Sequence, residues 1–114
     1  MSDAEKCLQF LKRVVEENLF VQQTIDSFWE SFSTYKEEDA EEYRSIFGDG
    51  TVSIVLDDMT VALVWRKQST NDNFAHFVIS YNIYFKQKCE MSIGYYKLIF
   101  SLGGEIYDDI LYFD

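Results

Sequence analysis

From residue 1 to residue 47 the apolar positions recur with the period of a helix, and from residue 51 onward with the period of a strand. Ser2 and Glu5 form a capping-box pair. Behind them Cys7, Leu8, Leu11, Val14 and Val15 share one side, while Lys12, Arg13, Glu16 and Glu17 share the other. This predicts an amphipathic helix that ends near Asn18. Ile25, Phe28, Trp29 and Phe32 repeat the helical spacing and predict a second helix over about 22–33. Thr34, three residues before Glu37, reads as another capping pair, opening a short helix with Ala40, Tyr43 and Phe47 on one face and Gly48 as its C-cap.

In the second half β-branched and aromatic residues alternate with polar ones. Segments 51–56 and 59–67 flank Asp57-Asp58, a two-residue connection suited to a tight hairpin, and 68–73 is a polar loop. Along 74–85, Phe77, Ile79, Tyr81, Ile83 and Phe85 occupy one face, and His76, Val78, Ser80, Asn82 and Tyr84 the other. Segments 92–101 and 106–113 flank a turn at Leu102-Gly103-Gly104-Glu105. The reading is α+β: two to three N-terminal helices packed on one face of a roughly five-stranded antiparallel sheet, in a single domain over residues 1–114. No internal repeat or linker interrupts it.

Composition supports a real core, since 47% of the 114 residues are hydrophobic and 18% aromatic. Charge says more about partners. The formal net charge is −10, the wrong sign for gripping a phosphate backbone or an anionic membrane surface, so a cationic or neutral partner is expected. The charge is also polarised: residues 1–58 carry 14 acids and 5 bases, residues 59–114 carry 6 acids and 5 bases. Glu37, Glu38, Asp39, Glu41 and Glu42 cluster at a helix start, where carboxylates favour the positive end of the helix dipole. The pairs Glu37/Glu41 and Glu38/Glu42, however, repel one another. The excess acids read either as a solvated face or as a docking surface for a basic partner, which Asp49, Asp57 and Asp58 could extend.

No catalytic or cofactor constellation is present, and the chain is read as a non-enzyme with no cofactor and no metal. His76 is flanked by Phe74, Ala75 and Phe77 and reads as a structural or rim histidine with no nucleophile or carboxylate spaced to work with it. Asp108 and Asp109 are adjacent in a strand and point to opposite faces, so they cannot share a proton. Gly48-Asp49-Gly50 and Gly103-Gly104 are turns outside any phosphate-binding motif. Tyr81, Tyr84, Tyr95, Tyr96, Tyr107 and Tyr112 read as core and rim residues rather than base-stacking platforms. Stacking of that kind needs a positive groove, and Lys86, Lys88 and Lys97 supply only a small basic spot. Trp65, beside Arg66-Lys67, is a candidate interface anchor if it faces outward. Cys7 and Cys89 are expected as free thiols. With no signal-peptide pattern at the start and no long apolar run, the expected location is the cytoplasm. Open sheet edges allow dimerisation without requiring it.

The segment Ile93-Gly94-Tyr95-Tyr96-Lys97-Leu98-Ile99-Phe100, followed by Gly104-Glu105-Ile106-Tyr107-Asp108-Asp109, resembles the closing hairpin of small bacterial immunity proteins, particularly those of contact-dependent growth inhibition systems. The resemblance implies an antidote that binds a cognate toxin, commonly a basic nuclease domain, and covers its active site or substrate-entry surface. It transfers no site residues. Taken with the charge, it gives a candidate partner-binding set of Glu38, Asp39, Glu41, Glu42, Asp49, Asp57 and Asp58, with Tyr43 as an aromatic anchor. Two alternatives use the same features: an acidic DNA mimic that inhibits a host nuclease, and a cone-shaped small-ligand domain with helices over a curved sheet.

Overall fold

The computed structural model describes residues 1–50, 53–66, 75–87 and 90–114. Helix α1 (Asp3–Glu17) opens on the capping box that the sequence predicts. Ser2 Oγ accepts the Glu5 N–H at 3.2 Å, and the Ser2 N–H donates back to Glu5 Oε1 at 3.3 Å. It ends at Asn18, whose backbone N–H and side-chain amide both donate to the Val14 carbonyl. Leu19 then takes a left-handed conformation (φ 54°), which costs a branched residue about 1–2 kcal/mol but lets the next helix start at once.

Helix α2 (Phe20–Glu38) is longer than the apolar spacing suggested, and Thr34 is the reason. Its hydroxyl does not cap a new helix; it donates to the Glu30 carbonyl one turn back, 3.1 Å away, so the helix runs straight through it. Helix α3 (Ala40–Phe47) begins instead after Asp39 and stops at Gly48, whose φ of 77° suits glycine.

Among the described residues four strands follow: β1 (Ile54–Val64), β2 (His76–Phe85), β3 (Gly94–Ser101) and β4 (Ile106–Phe113). They form one antiparallel sheet in the order β1-β2-β3-β4. Among the described residues there is no fifth strand, because Asp57-Asp58 does not turn the chain. Both flanks pair with the same neighbour, Asp57 opposite Asn82 and Thr60 opposite Ser80, and the extra residue is absorbed as a β-bulge with Asp58 left-handed (φ 54°). Aspartate tolerates that conformation better than most residues, and the Tyr84 hydroxyl donates to the Asp58 carboxylate. The expected ends of strands or loops at Thr51, Lys67, Phe74 and the 68–73 loop lie outside the described residues, as does Cys89.

All three helices pack on one face of the sheet. Phe20 stacks on Phe100 (centroids 3.9 Å apart) and approaches Phe77, while Phe28 meets Tyr96 edge-on at 5.5 Å. Phe32 sits among Tyr43, Phe47 and Phe113, which ties α3 to the other end of the sheet. Phe20, Phe28, Ile79, Ile83, Tyr96, Leu98 and Phe100 are fully buried. At each full burial about 1.5–3 kcal/mol of transfer free energy is gained, so this aromatic seam is the main source of stability. Helix α1 contributes little to it: no residue of α1 is buried, and Leu8 and Phe10 remain exposed. Gly94 fixes the register of β4, because a Cβ there would lie 2.0 Å from the Tyr112 carbonyl oxygen. The opposite face of the sheet is covered by no described helix; Tyr95 and Tyr112 stack on it at 5.0 Å, with Lys97 Nζ 4.9 Å from the Tyr95 ring.

Candidate functional site

Helix α2 has two stripes of opposite chemistry. Phe20, Thr24, Phe28 and Phe32 turn to the sheet, while Glu30, Ser31, Thr34 and Glu38 face an open groove of about 620 Å³ whose far wall is β4. Five acidic residues line it: Glu30, Glu38 and Asp39 from the helical side, Asp108 and Asp109 from the strand. A second depression of about 430 Å³, formed by Glu38, Asp39, Ala40, Glu41 and Glu42, shares two of those acids. The acidic run of the sequence therefore continues across the α2–α3 junction onto β4. Among the described residues no lysine or arginine lines either depression.

The floor of the groove is a hydrogen-bonded chain. Tyr96, wholly buried, donates its hydroxyl to Asp109 Oδ2 at 2.9 Å, and Ser31 donates to the same oxygen at 2.5 Å. The Ser27 hydroxyl lies 2.8 Å from Tyr96 Oη and, with the tyrosine proton given to Asp109, acts as the donor. Burial pushes the Tyr96 hydroxyl above its ordinary range; the Ser27 and Ser31 hydroxyls offset part of that, and Asp109 adds to it. Tyr96 thus stays a neutral donor and holds one oxygen of Asp109, while Oδ1 has no partner among the described residues. Asp108 diverges to the other face, and its Oδ1 accepts the Asp109 backbone N–H at 2.8 Å. The two carboxylates do not converge.

At the mouth of the groove, Asp39 holds the N-cap position of α3 without using its side chain to cap, which leaves its carboxylate on the surface beside Glu41 and Glu42 in the first turn. The Tyr35 hydroxyl is buried here without a hydrogen bond of normal geometry. Burial, then the nearby Glu42 and Asp39 carboxylates, push it up to about 12.

The structure thus brings together Glu38, Asp39, Glu41 and Glu42 and separates the rest of the expected set. Tyr43 is a correction: it is only 7% exposed, packed against Phe32, Tyr35 and Phe47, and is a core residue rather than an anchor. Its place at i+3 from Ala40 and four before Phe47 put it on the apolar face of α3. Asp49 lies beyond the far end of α3, 3.8 Å from Arg44, in a pair whose side chains are 65% and 91% exposed. Asp57 and Asp58 sit on β1, the opposite edge of the sheet from β4. Sequence reasoning missed Glu30, Asp108 and Asp109 as members. The only available signal was the polar stripe of Ser27, Ser31 and Thr34 opposite the aromatic stripe of α2.

Elsewhere, His76 is half-buried at the end of the sheet, where it lines a depression of about 540 Å³ with Arg66, Ser101 and Tyr107. Trp65 is 66% exposed, and Cys7 is an exposed free thiol. Among the described residues no group of three or more His, Cys, Asp or Glu side chains is arranged to hold a metal ion, and no helix is long and apolar enough to cross a membrane. No protein-family model, curated protein or solved structure matches the chain.

Proposed function

We propose that the protein is an inhibitor of the immunity-protein type, which binds a basic toxin domain through its acidic groove and keeps that toxin from its anionic substrate. The observation that carries this reading is the continuity of the acidic surface from Glu38, Asp39, Glu41 and Glu42 to Asp108 and Asp109, with no described cation in it. A field of one sign steers an oppositely charged partner and raises association toward 10⁸–10⁹ M⁻¹s⁻¹ at low salt. Speed has value to an antidote, which must capture its toxin before the toxin acts. The C-terminal hairpin that resembles immunity proteins is the same hairpin that supplies Asp108 and Asp109. The small-ligand alternative needs a chamber between helices and sheet, and Phe20, Phe28, Tyr96 and Phe100 fill that space.

The test is binding kinetics with the polypeptide encoded immediately upstream of this gene, at two salt concentrations, with nuclease activity followed in the same mixtures. Nanomolar, salt-sensitive binding that abolishes the activity is the expected result. Absence of binding at low salt overturns the cognate-pair reading; inhibition of several unrelated DNA-binding proteins would point to a DNA mimic instead.

A further inference from the structure

Strand β4 ends the sheet, and its backbone shows which of its groups are unpaired. The Asp114 N–H donates to the Ile93 carbonyl at 2.9 Å. In an antiparallel ladder, residues alternate between turning both backbone groups to the neighbouring strand and turning both away. Asp108, Ile110 and Tyr112 therefore bond to β3, while Asp109, Leu111 and Phe113 turn their N–H and C=O groups to the open edge. The contact at Asp109 agrees: its N–H lies outside the ladder and is taken by Asp108 Oδ1, the side chain of the preceding residue.

The other edge of the sheet is unsuited to a further strand, since β1 is bulged between Asp57 and Thr60 with a left-handed Asp58. A strand laid along β4 would meet two different surfaces. Side chains on its helix-facing side would lie over the groove with Glu30, Glu38 and Asp109; those on its other side would lie beside Ile110 and Tyr112, both more than two-fifths exposed. Pairing with a second copy of this chain would set two molecules of net charge −10 edge to edge.

We infer that β4 is a docking edge that receives an extended basic segment of the partner protein as an added strand, with Lys or Arg at every second position over the groove and apolar residues between them. This rests on the proposed reading of the groove as a receptor for a basic partner, and it adds the mode of binding and the partner's pattern. The Asp108 carboxylate leaves the Asp109 N–H when the incoming strand supplies a carbonyl to it.

The test uses three synthetic peptides with the whole protein at low salt: acetyl-(Lys-Val)₄-amide, the same peptide N-methylated at its lysines, and the same peptide N-methylated at its valines. All three carry the same charge, but successive N–H groups of a strand point in opposite directions. Edge pairing therefore predicts that one methylated isomer loses affinity by about tenfold or more while the other stays within about twofold of the parent. In the complex, the Leu111 and Phe113 amides should become slow to exchange. Equal affinities of the two methylated isomers, whatever their size, overturn the inference while leaving the acidic receptor standing. Failure of all three to bind overturns the receptor reading and the inference with it. Leu111 and Phe113 amides already protected in the free protein, in a concentration-dependent way, would assign the edge to a second copy and likewise overturn it.

Discussion

The dipeptide Asp-Asp occurs on both edge strands of the sheet and does different work in each. On β1, Asp58 turns left-handed, opens a bulge, breaks the register with β2 and hands its carboxylate to the Tyr84 hydroxyl. On β4, the backbone stays extended and the two side chains part. Asp109 holds Tyr96 and Ser31 beneath the groove, and Asp108 covers an outward N–H. Identical residues thus spoil one edge for pairing and furnish the other with charge and an open backbone. What decides between these outcomes is the neighbour: an α2 face of serine and glutamate stands beside β4, whereas on β1 the Tyr84 hydroxyl of the adjoining strand takes the Asp58 carboxylate.

The difference can be broken most forcefully by charge reversal. Replacing Glu38, Asp39, Glu41 and Glu42 together by Lys should slow association with a basic partner by about 10- to 10³-fold at low salt, as read by stopped-flow mixing. Reversing Asp57 and Asp58 should slow it only about a few-fold, because those charges lie at the far edge. Equal slowing by both variants would dissolve the distinction between the edges. A smaller effect comes from the groove floor. Asp109→Ala leaves the buried Tyr96 hydroxyl without its acceptor and should cost about 1–3 kcal/mol in urea unfolding. Asp108→Ala should stay within about 0.5 kcal/mol. Adding Tyr96→Phe to Asp109→Ala should recover part of the loss, and a purely additive double variant would show that the two side chains are not coupled.

The smallest effect is one of pH. Tyr35 ionises near its ordinary value of 10 in the unfolded chain and at about 12 in the folded one. The unfolded state therefore releases its proton first, and stability that is fully present below pH 10 is lost as pH rises through about 12. Melting temperatures across that interval should fall less steeply for Tyr35→Phe than for the parent protein. Tyr84, raised first by its bond to Asp58, should contribute in the same direction but less, so that Tyr84→Phe changes the slope little. A larger change from Tyr84→Phe than from Tyr35→Phe would reverse the ranking.

Much of this architecture is legible in residue order. The capping box at Ser2 and Glu5, the end of α1 at Asn18 and the full span of β4 are all local signals, and each is realised. The α+β class and the helices on one face follow from the change of period at residue 51. Two local signals mislead for definite reasons. Thr34 can satisfy its hydroxyl within a helix as well as at its start, and the packing of Phe32 and Tyr35 on either side of it favours continuation. Asp57-Asp58 can turn a chain or bulge it, and only the shared partner β2 decides for the bulge.

The candidate site divides the same way. The run from Glu38 to Glu42 is visible because its members are sequence neighbours. Its continuation to Asp109 joins residues brought together by Ser31 and Tyr96, and no periodicity encodes that meeting.

Gly94 has a bearing on how this molecule could drift under selection. The Tyr112 carbonyl occupies the place of its missing side chain, so one contact that indexes β3 to β4 is made by the main chain. That contact does not depend on the side chains at positions 107, 108 and 110. Tyr107, Asp108 and Ile110 can therefore be exchanged with the main-chain contact at Gly94 kept, as the proposed recognition of a variable partner would require. In a saturation library, position 94 should stand out as a site with one permitted residue, beside a hairpin edge whose composition is open to revision.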